Sequence, residues 1–262
     1  MGLAPRLLFL ASIMLGITLA LALFIGVLLG MLGGGGSILL VPVLLYVLKL
    51  EPKSALATSQ LVMVATSLVA MIVHARSGRV VFSTGGLFGL SAMAGAYLGG
   101  RFAAHVPARV LLLGFVSLML LSAIQMLRKR NSDETTPPAA VGIPWRAMAV
   151  GLPTGFVAGM LGAGGGFLIV PALVLFGAMP ITKAVGTSLL VIAMQSLAGA
   201  AGYLGHAVVD LRLVAELSAA MATSSIFGGL LSRRVPASKL RTLFALLLLA
   251  VACFMLIRNL MH

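Results

Sequence analysis

The run Gly26-Val27-Leu28-Leu29-Gly30-Met31-Leu32-Gly33-Gly34-Gly35-Gly36 returns 129 residues later as Gly155-Phe156-Val157-Ala158-Gly159-Met160-Leu161-Gly162-Ala163-Gly164-Gly165. Over positions 26–48 the two copies share 11 of 23 residues. The register then holds without a gap through Thr58-Ser59 and Thr187-Ser188, Ser67-Leu68 and Ser196-Leu197, Gly99-Gly100 and Gly228-Gly229, and Val106-Pro107 and Val235-Pro236. A bias toward Gly and Leu produces scattered matches, but it does not keep ungapped register over such a length. One unit is written twice, so the fold must be built from two similar halves.

Each unit is a string of apolar runs: 7–32, 38–48, 54–73, 80–103 and 106–127, then 145–161, 167–177, 184–204, 211–231 and 240–257. Of the 262 residues, 61% are apolar and 9% charged; a soluble domain carries about 45–50% and about 25%. The composition predicts an all-α integral membrane protein, a polytopic helical bundle of about eight to ten spans that each cover a ~30 Å hydrocarbon core. Soluble-enzyme readings end there. The formal charge of +13 sits in short breaks between the runs, which is the positive-inside pattern and not a nucleic-acid face. Cys253 is the sole cysteine, so neither an internal disulfide nor a Cys-based metal cluster is available. The first run follows Arg6 but is too long for a signal-peptide core of about 7–15 residues, so it reads as a mature helix.

Arg128 to Pro144 alone has linker composition, with Lys/Arg, Asp133-Glu134 and Pro137-Pro138. It divides the chain into a first transmembrane repeat, 1–127, a cytoplasmic linker, 128–144, and a second repeat, 145–262. The second apolar run of each repeat has 11 residues, about 17 Å of helix, too short for the membrane. Each repeat therefore reads as containing a Gly-broken helix whose short half is closed by Pro52 or Pro180. Backbone leaves a helix at membrane depth only where it is buried in protein or lines a cavity. Interrupted segments at corresponding places in two halves point to a transporter's binding site. If the short halves cross, the repeats are inverted and Lys/Arg divide 11 to 7 between the two sides; if they are re-entrant, the division is 9 to 9. The positive-inside rule favours inverted repeats with the linker in the cytoplasm.

A glycine-rich break that opens a helix leaves N–H groups free at the positive end of the dipole, a natural anion site. Gly34, Gly35, Gly36 and Ser37, and Gly164, Gly165, Gly166 and Phe167, are the candidate nests. The pairs Gly26/Gly30, Gly155/Gly159, Gly85/Gly89 and Gly95/Gly99 instead have the small-xxx-small spacing of helix packing. Thr58, Ser59, Thr187 and Ser188 lie one turn into the third segments, with Gln60, Ser67, Gln195 and Ser196 further along. Such groups donate to an oxyanion while letting it leave, or bond back to backbone and neighbouring helices. Lys53, Lys183 and Arg76 are the cations nearest the path, at boundaries where such side chains also snorkel and set topology. Glu216, a few residues into an apolar run, is either a coupling carboxylate or the partner of Arg212. His74, His105, His206 and His262 are expected at solvated loop edges or the terminus. No nucleophile motif, zinc motif or Walker sequence accompanies the glycines, and five acids in the whole chain make a poor cation site. No metal or cofactor is called for.

The doubled pattern is Gly-Met-Leu-Gly-(Gly/Ala)-Gly-Gly-(Ser/Gly), four apolar or aromatic residues, Val-Pro, then a Lys-containing turn into Ala-(Leu/Val)-(Ala/Gly)-Thr-Ser. It resembles the TauE/SafE family of membrane transporters over nearly the whole chain. Ser37 against Gly166, and Ala57 against Gly186, make the two half-sites unequal. The resemblance implies a multi-pass permease of the cell membrane that exports sulfite or an organosulfur anion, with the lipid bilayer and a small anion as its partners. Transport of another small anion or organic acid, and a membrane scaffold, are the competing readings; a scaffold explains the packing glycines but not the doubled break.

Overall fold

The computed structural model describes residues 3–33, 35–128, 144–162, 164–175, 179–232 and 237–260. Among these, all regular structure is helical: α1 (Leu3–Leu32), a 3-10 turn (Gly35–Leu39), α2 (Leu40–Tyr46), α3 (Pro52–Ala75), α4 (Phe82–Ala103) and α5 (Ala108–Arg128), then α6 (Pro144–Leu161), α7 (Gly166–Leu175), α8 (Ile181–Gly202), α9 (Leu211–Leu231) and α10 (Ala237–Leu260). Gly34 and all of the linker between its end residues lie outside the described residues.

Local chemistry sets the boundaries. Gly33 and Gly162 take φ values of 61° and 64°, the left-handed turn that stops a helix and that only glycine adopts without strain. Pro52 opens α3 and Pro180 precedes α8, where a missing N–H costs nothing. Asp210 caps α9 by accepting from the N–H groups of Arg212 and Leu213 at 2.9 and 3.3 Å.

Among the described residues, four helices, Pro52–Ala75, Ala108–Gln125, Ile181–Gly202 and Leu211–Leu231, are long and apolar enough to cross a membrane. Large apolar side chains such as Leu90, Phe102 and Phe227 face outward, more than half exposed, while Thr58, Ser59, Gln60, Thr187, Ser188 and Gln195 are at most 1% exposed. An apolar exterior around a polar interior is the arrangement a lipid solvent selects. The chain is a polytopic helical membrane protein.

The helices pair across the halves of the sequence. A Cβ on Gly26 would strike Met221 and Ser224, and one on Gly30 would strike Ser225 and Gly229, so α1 and α9 run parallel in backbone contact. Gly155 against Ala92 and Gly159 against Ala96 join α6 to α4 in the same manner. Gly85 beside Thr187 and Gly89 beside Met194 align α4 with α8. Small residues bring backbones this close where lipid supplies no hydrophobic drive between helices.

At the centre α3 and α8 run antiparallel. Gln60, early in α3, touches Gly199, late in α8, while the end of α1 meets both His74, at the end of α3, and Val185, at the start of α8. Thus α1, α3 and α9 point one way and α4, α6 and α8 the other. Because α1 and α3 share a direction, residues 33–51 must carry the chain back across the bundle, and residues 162–180 do so between α6 and α8. The 3-10 turn and α2 together reach about 20 Å of that return. Next to the breaks, Gly33, Gly162, Gly164 and Gly165 are non-helical backbone buried in protein, the one setting in which a membrane tolerates it at depth.

Candidate functional site

The two breaks are shaped by contacts that only glycine permits. A Cβ on Gly36 would sit 2.6 Å from Leu29 N and 2.9 Å from Ile25 O, so its absence lets the chain turn back along α1. At the aligned Gly165 a Cβ would sit 2.6 Å from Ala158 Cβ, the residue aligned with Leu29. Gly162, Gly164 and Gly165 all have φ between 61° and 64°. The breaks meet each other. A Cβ on Gly164 would lie 3.1 Å from Cβ and Oγ of Ser37 and 3.3 Å from Cγ of Met63. Met63 is midway along α3, so the meeting point is near the middle of the bundle.

Polar side chains fasten each break to the opposite half of the chain. Ser59 Oγ lies 2.6 Å from Gly162 O, and Ser188 Oγ lies 2.8 Å from Gly33 O. Each hydroxyl also has a carbonyl three residues back on its own helix, Leu56 O or Val185 O. With a single hydrogen apiece, each donates to one of its two carbonyls at a time. His74 Nε2 is 3.1 Å from Gly30 O, and at the aligned position Tyr203 donates its hydroxyl to Met160 O at 2.6 Å. Both therefore hold the last turn of the helix that enters a break. Burial pushes the Tyr203 phenol above its usual range, so it stays a neutral donor. Thr187 Oγ1 accepts from Val81 N at 3.0 Å, and Thr58 is buried at the corresponding place early in α3.

Break two carries two further clamps. Gln60 Nε2 lies 3.2 Å from both Ala158 O and Gly159 O, and Gln195 Nε2 lies 2.6 Å from Gly164 O. Their aligned positions are Leu189 and Thr66, and Thr66 bonds back to Val62 O of its own helix, so break one lacks the pair. On α3 and α8 the buried Ser67 Oγ, Ser196 Oγ, Gln60 Oε1 and Gln195 Oε1 find no hydrogen-bond partner among the described residues. Ser67 and Ser196 occupy aligned positions. A buried polar atom without a partner costs about 1–3 kcal/mol, an expense that persists in working sites. Every Lys, Arg, Asp and Glu with a described side chain is at least partly exposed, so the polarity here is that of uncharged dipoles.

A family model described as Sulfite exporter TauE/SafE matches residues 18–255. The chain belongs to the TauE/SafE family. It is 37% identical over 243 residues to a probable membrane transporter protein of Xylella fastidiosa (strain 9a5c), covering 90% of this chain and 92% of that one. It is 28% identical over 200 residues to the probable membrane transporter protein YdhB of Bacillus subtilis, covering 74% and 80%. A probable membrane transporter protein of Methanocaldococcus jannaschii is 24% identical over 260 residues, covering 91% and 96%. No solved structure matches the chain. This TauE/SafE protein is a multi-pass membrane transporter and not an enzyme.

The remaining candidates of the TauE/SafE chain lie apart from the meeting point or frame it. Gly35 belongs to the 3-10 turn, Gly166 opens α7, and Gly34 is outside the described residues. Lys53 Nζ donates to Ala104 O at 2.6 Å, which satisfies the carbonyl end of α4. Arg76 and Lys183 are exposed at helix ends. Glu216 pairs with Arg212 at 3.0 Å on the outer surface of α9. The solvated-edge expectation holds for His105 and His206 but is corrected for His74, which is 3% exposed because Gly30 O and the thin Gly229 backbone admit its ring. His262 lies outside the described residues. Met63, Gly199 and Tyr203 border the breaks without having stood out in the sequence. Their only signal is alignment: Tyr203 falls 129 residues after His74.

Proposed function

We propose that this transporter exports sulfite or an organosulfonate by alternating access, with the anion held near the midplane between the two breaks. The observation that carries the reading is the contact of Ser37 with Gly164, beside α3 and α8, which carry the partnerless hydroxyls of Ser67 and Ser196. Backbone N–H groups of the Gly34–Ser37 and Gly164–Gly166 stretches and those two hydroxyls supply donors. Ser59 and Ser188 hold the breaks in shape, Thr58 and Thr187 lie beside them in sequence, and the Gln60 and Gln195 amides fix break two. Dipoles bind an oxyanion without the desolvated cation that would hold it too long.

Two repeats, 1–127 and 145–262, joined by a cytoplasmic linker, suit a rocking mechanism about a fixed site. The antiparallel course of α3 and α8 supports inverted repeats, and the return of the chain through each break supports ten crossings. Moving one negative charge outward gains about 2.3 kcal/mol per 100 mV of inside-negative potential, so efflux needs no coupling ion. Flux of sulfite, sulfate, thiosulfate, taurine and sodium in proteoliposomes, with and without an imposed potential, tests the reading. Saturable, potential-driven sulfite movement that Gly164→Leu abolishes in a folded protein is the expected result. A folded protein that moves none of the anions, or a Gly164→Leu variant as active as the parent, refutes it.

A further inference from the structure

The partnerless atoms on α3 and α8 are not all donors. Gln60 Nε2 faces two carbonyls and Gln195 Nε2 faces one. Carbonyl oxygens only accept, so the amide nitrogens must point at them and both Oε1 atoms point away, which fixes the orientation of each side chain. Gln60 and Gln195 are each 1% exposed, and neither Oε1 has a partner among the described residues. Gln60, Met63 and Ser67 share one face of α3 by their three- and four-residue spacing. Gln195 and Ser196 are adjacent on α8, with Gln195 bonded to the same Gly164 whose open side meets Ser37 and Met63. Two unpaired amide acceptors therefore stand beside break two, on the helices that also carry Ser67 and Ser196, and a bare oxyanion, which only accepts, leaves both acceptors unsatisfied.

We propose that the transported species is a sulfur oxyanion that also carries a hydrogen-bond donor, with Gln60 Oε1 and Gln195 Oε1 accepting its proton while Ser67 and Ser196 donate to its oxygens. Hydrogen sulfite satisfies this description and the sulfite dianion does not; among organosulfonates, those with a hydroxyl or amino group satisfy it. The asymmetry of the repeat fits the same account. Leu189 and Thr66 stand at the positions aligned with the two glutamines, so the acceptors belong to break two and orient a lopsided ligand. The inference rests on the breaks being the anion's site and adds which form of the anion they accept.

The test is counterflow in liposomes containing the full-length protein, comparing isethionate with propane-1-sulfonate. Both are monoanions of the same number of non-hydrogen atoms, and a hydroxyl in one replaces a methyl in the other. Leaving a buried acceptor unpaired predicts that isethionate moves about 5- to 150-fold faster. In Gln195→Met and Gln60→Met, which keep side-chain length, the preference collapses. In the wild type, sulfite flux relative to methanesulfonate, which does not titrate, falls about tenfold per pH unit once the dianion predominates. The normalisation removes any titration of the protein, whose nearest such groups on the packed elements are His74 against Gly30 O and Tyr203 against Met160 O.

Equal rates for isethionate and propane-1-sulfonate, with sulfite still moving, overturn this inference and leave the anion-permease reading intact. A preference that survives in both folded variants overturns the role of the two amides. If neither variant folds, the wild-type pair and the pH series decide alone. Movement of no anion defeats the permease reading itself.

Discussion

Replacing Gly30 by Ala and Gly86 by Ala makes the same chemical change on two membrane helices, with opposite outcomes expected. At Gly30 the new Cβ falls on Ser225 O, 2.8 Å from Gly229 N and 2.9 Å from Ser225 C. All three atoms are α9 backbone, which no rotamer moves aside. Ordinary contact is about 3.5–4.0 Å, so the helices must part by about 0.5–1 Å, which forfeits a quarter to a half of the dispersion energy across the contact. With roughly 30 close atom pairs at about 0.1–0.2 kcal/mol each, the loss is about 1–3 kcal/mol. The helix-propensity gain from Gly to Ala returns at most about 1 kcal/mol, leaving a net destabilisation of up to about 3 kcal/mol. At Gly86 a Cβ meets nothing within 4 Å, so only the gain of up to about 1 kcal/mol remains. Unfolding curves of the purified proteins in one mixed-micelle series read both. If the two variants shift in the same direction, backbone contact between α1 and α9 is not what holds this pair.

Ser59→Ala and Ser188→Ala each remove a hydroxyl that reaches the opposite half, and each should cost about 0.6–2 kcal/mol, the range for hydrogen bonds between membrane helices. The two hydroxyls lie early in the antiparallel α3 and α8, toward opposite ends of the pair, and share no partner, so the double variant should show close to the sum in the same unfolding assay. A double variant no weaker than either single one would mean that the hydroxyls bond within their own helices. Reporter fusions at 131–135 and after residue 262 should report opposite sides of the membrane; the same side for both excludes two inverted sets of five crossings.

Much of this architecture could be read from spacing alone. The run 211–231 coincides with α9, and the two glycine clusters mark the breaks because a cluster of four small residues between apolar runs has no other stable use in lipid. What spacing could not give is partnership. Nothing in Gly26 and Gly30 says that they lie on α9 and not on a helix of their own half, because small-xxx-small fits any partner of complementary relief. The roles of the polar residues were hidden for the same reason. By spacing, Ser59 and Ser188 fit an anion donor and a bond to a neighbouring helix equally well, and the carbonyl partners 103 and 155 residues away are visible only in three dimensions. The departures from the repeat at 60 and 189, and at 66 and 195, were visible throughout. They were the signal that break two differs from break one, and it took the amide geometry to give them meaning.

The crossed pairing also sets a timetable. Gly30 leaves the ribosome about 200 residues before Gly229, roughly 10–40 s at ~5–20 residues per second. Throughout that interval the bare glycine face of α1 has only lipid, the insertion machinery or another chain against it. The first half cannot mature as an independent unit and must be kept open until the second arrives. Translation speed through the linker and α9, and the chaperoning of half-made chains, therefore become determinants of yield for a protein whose finished form depends on neither.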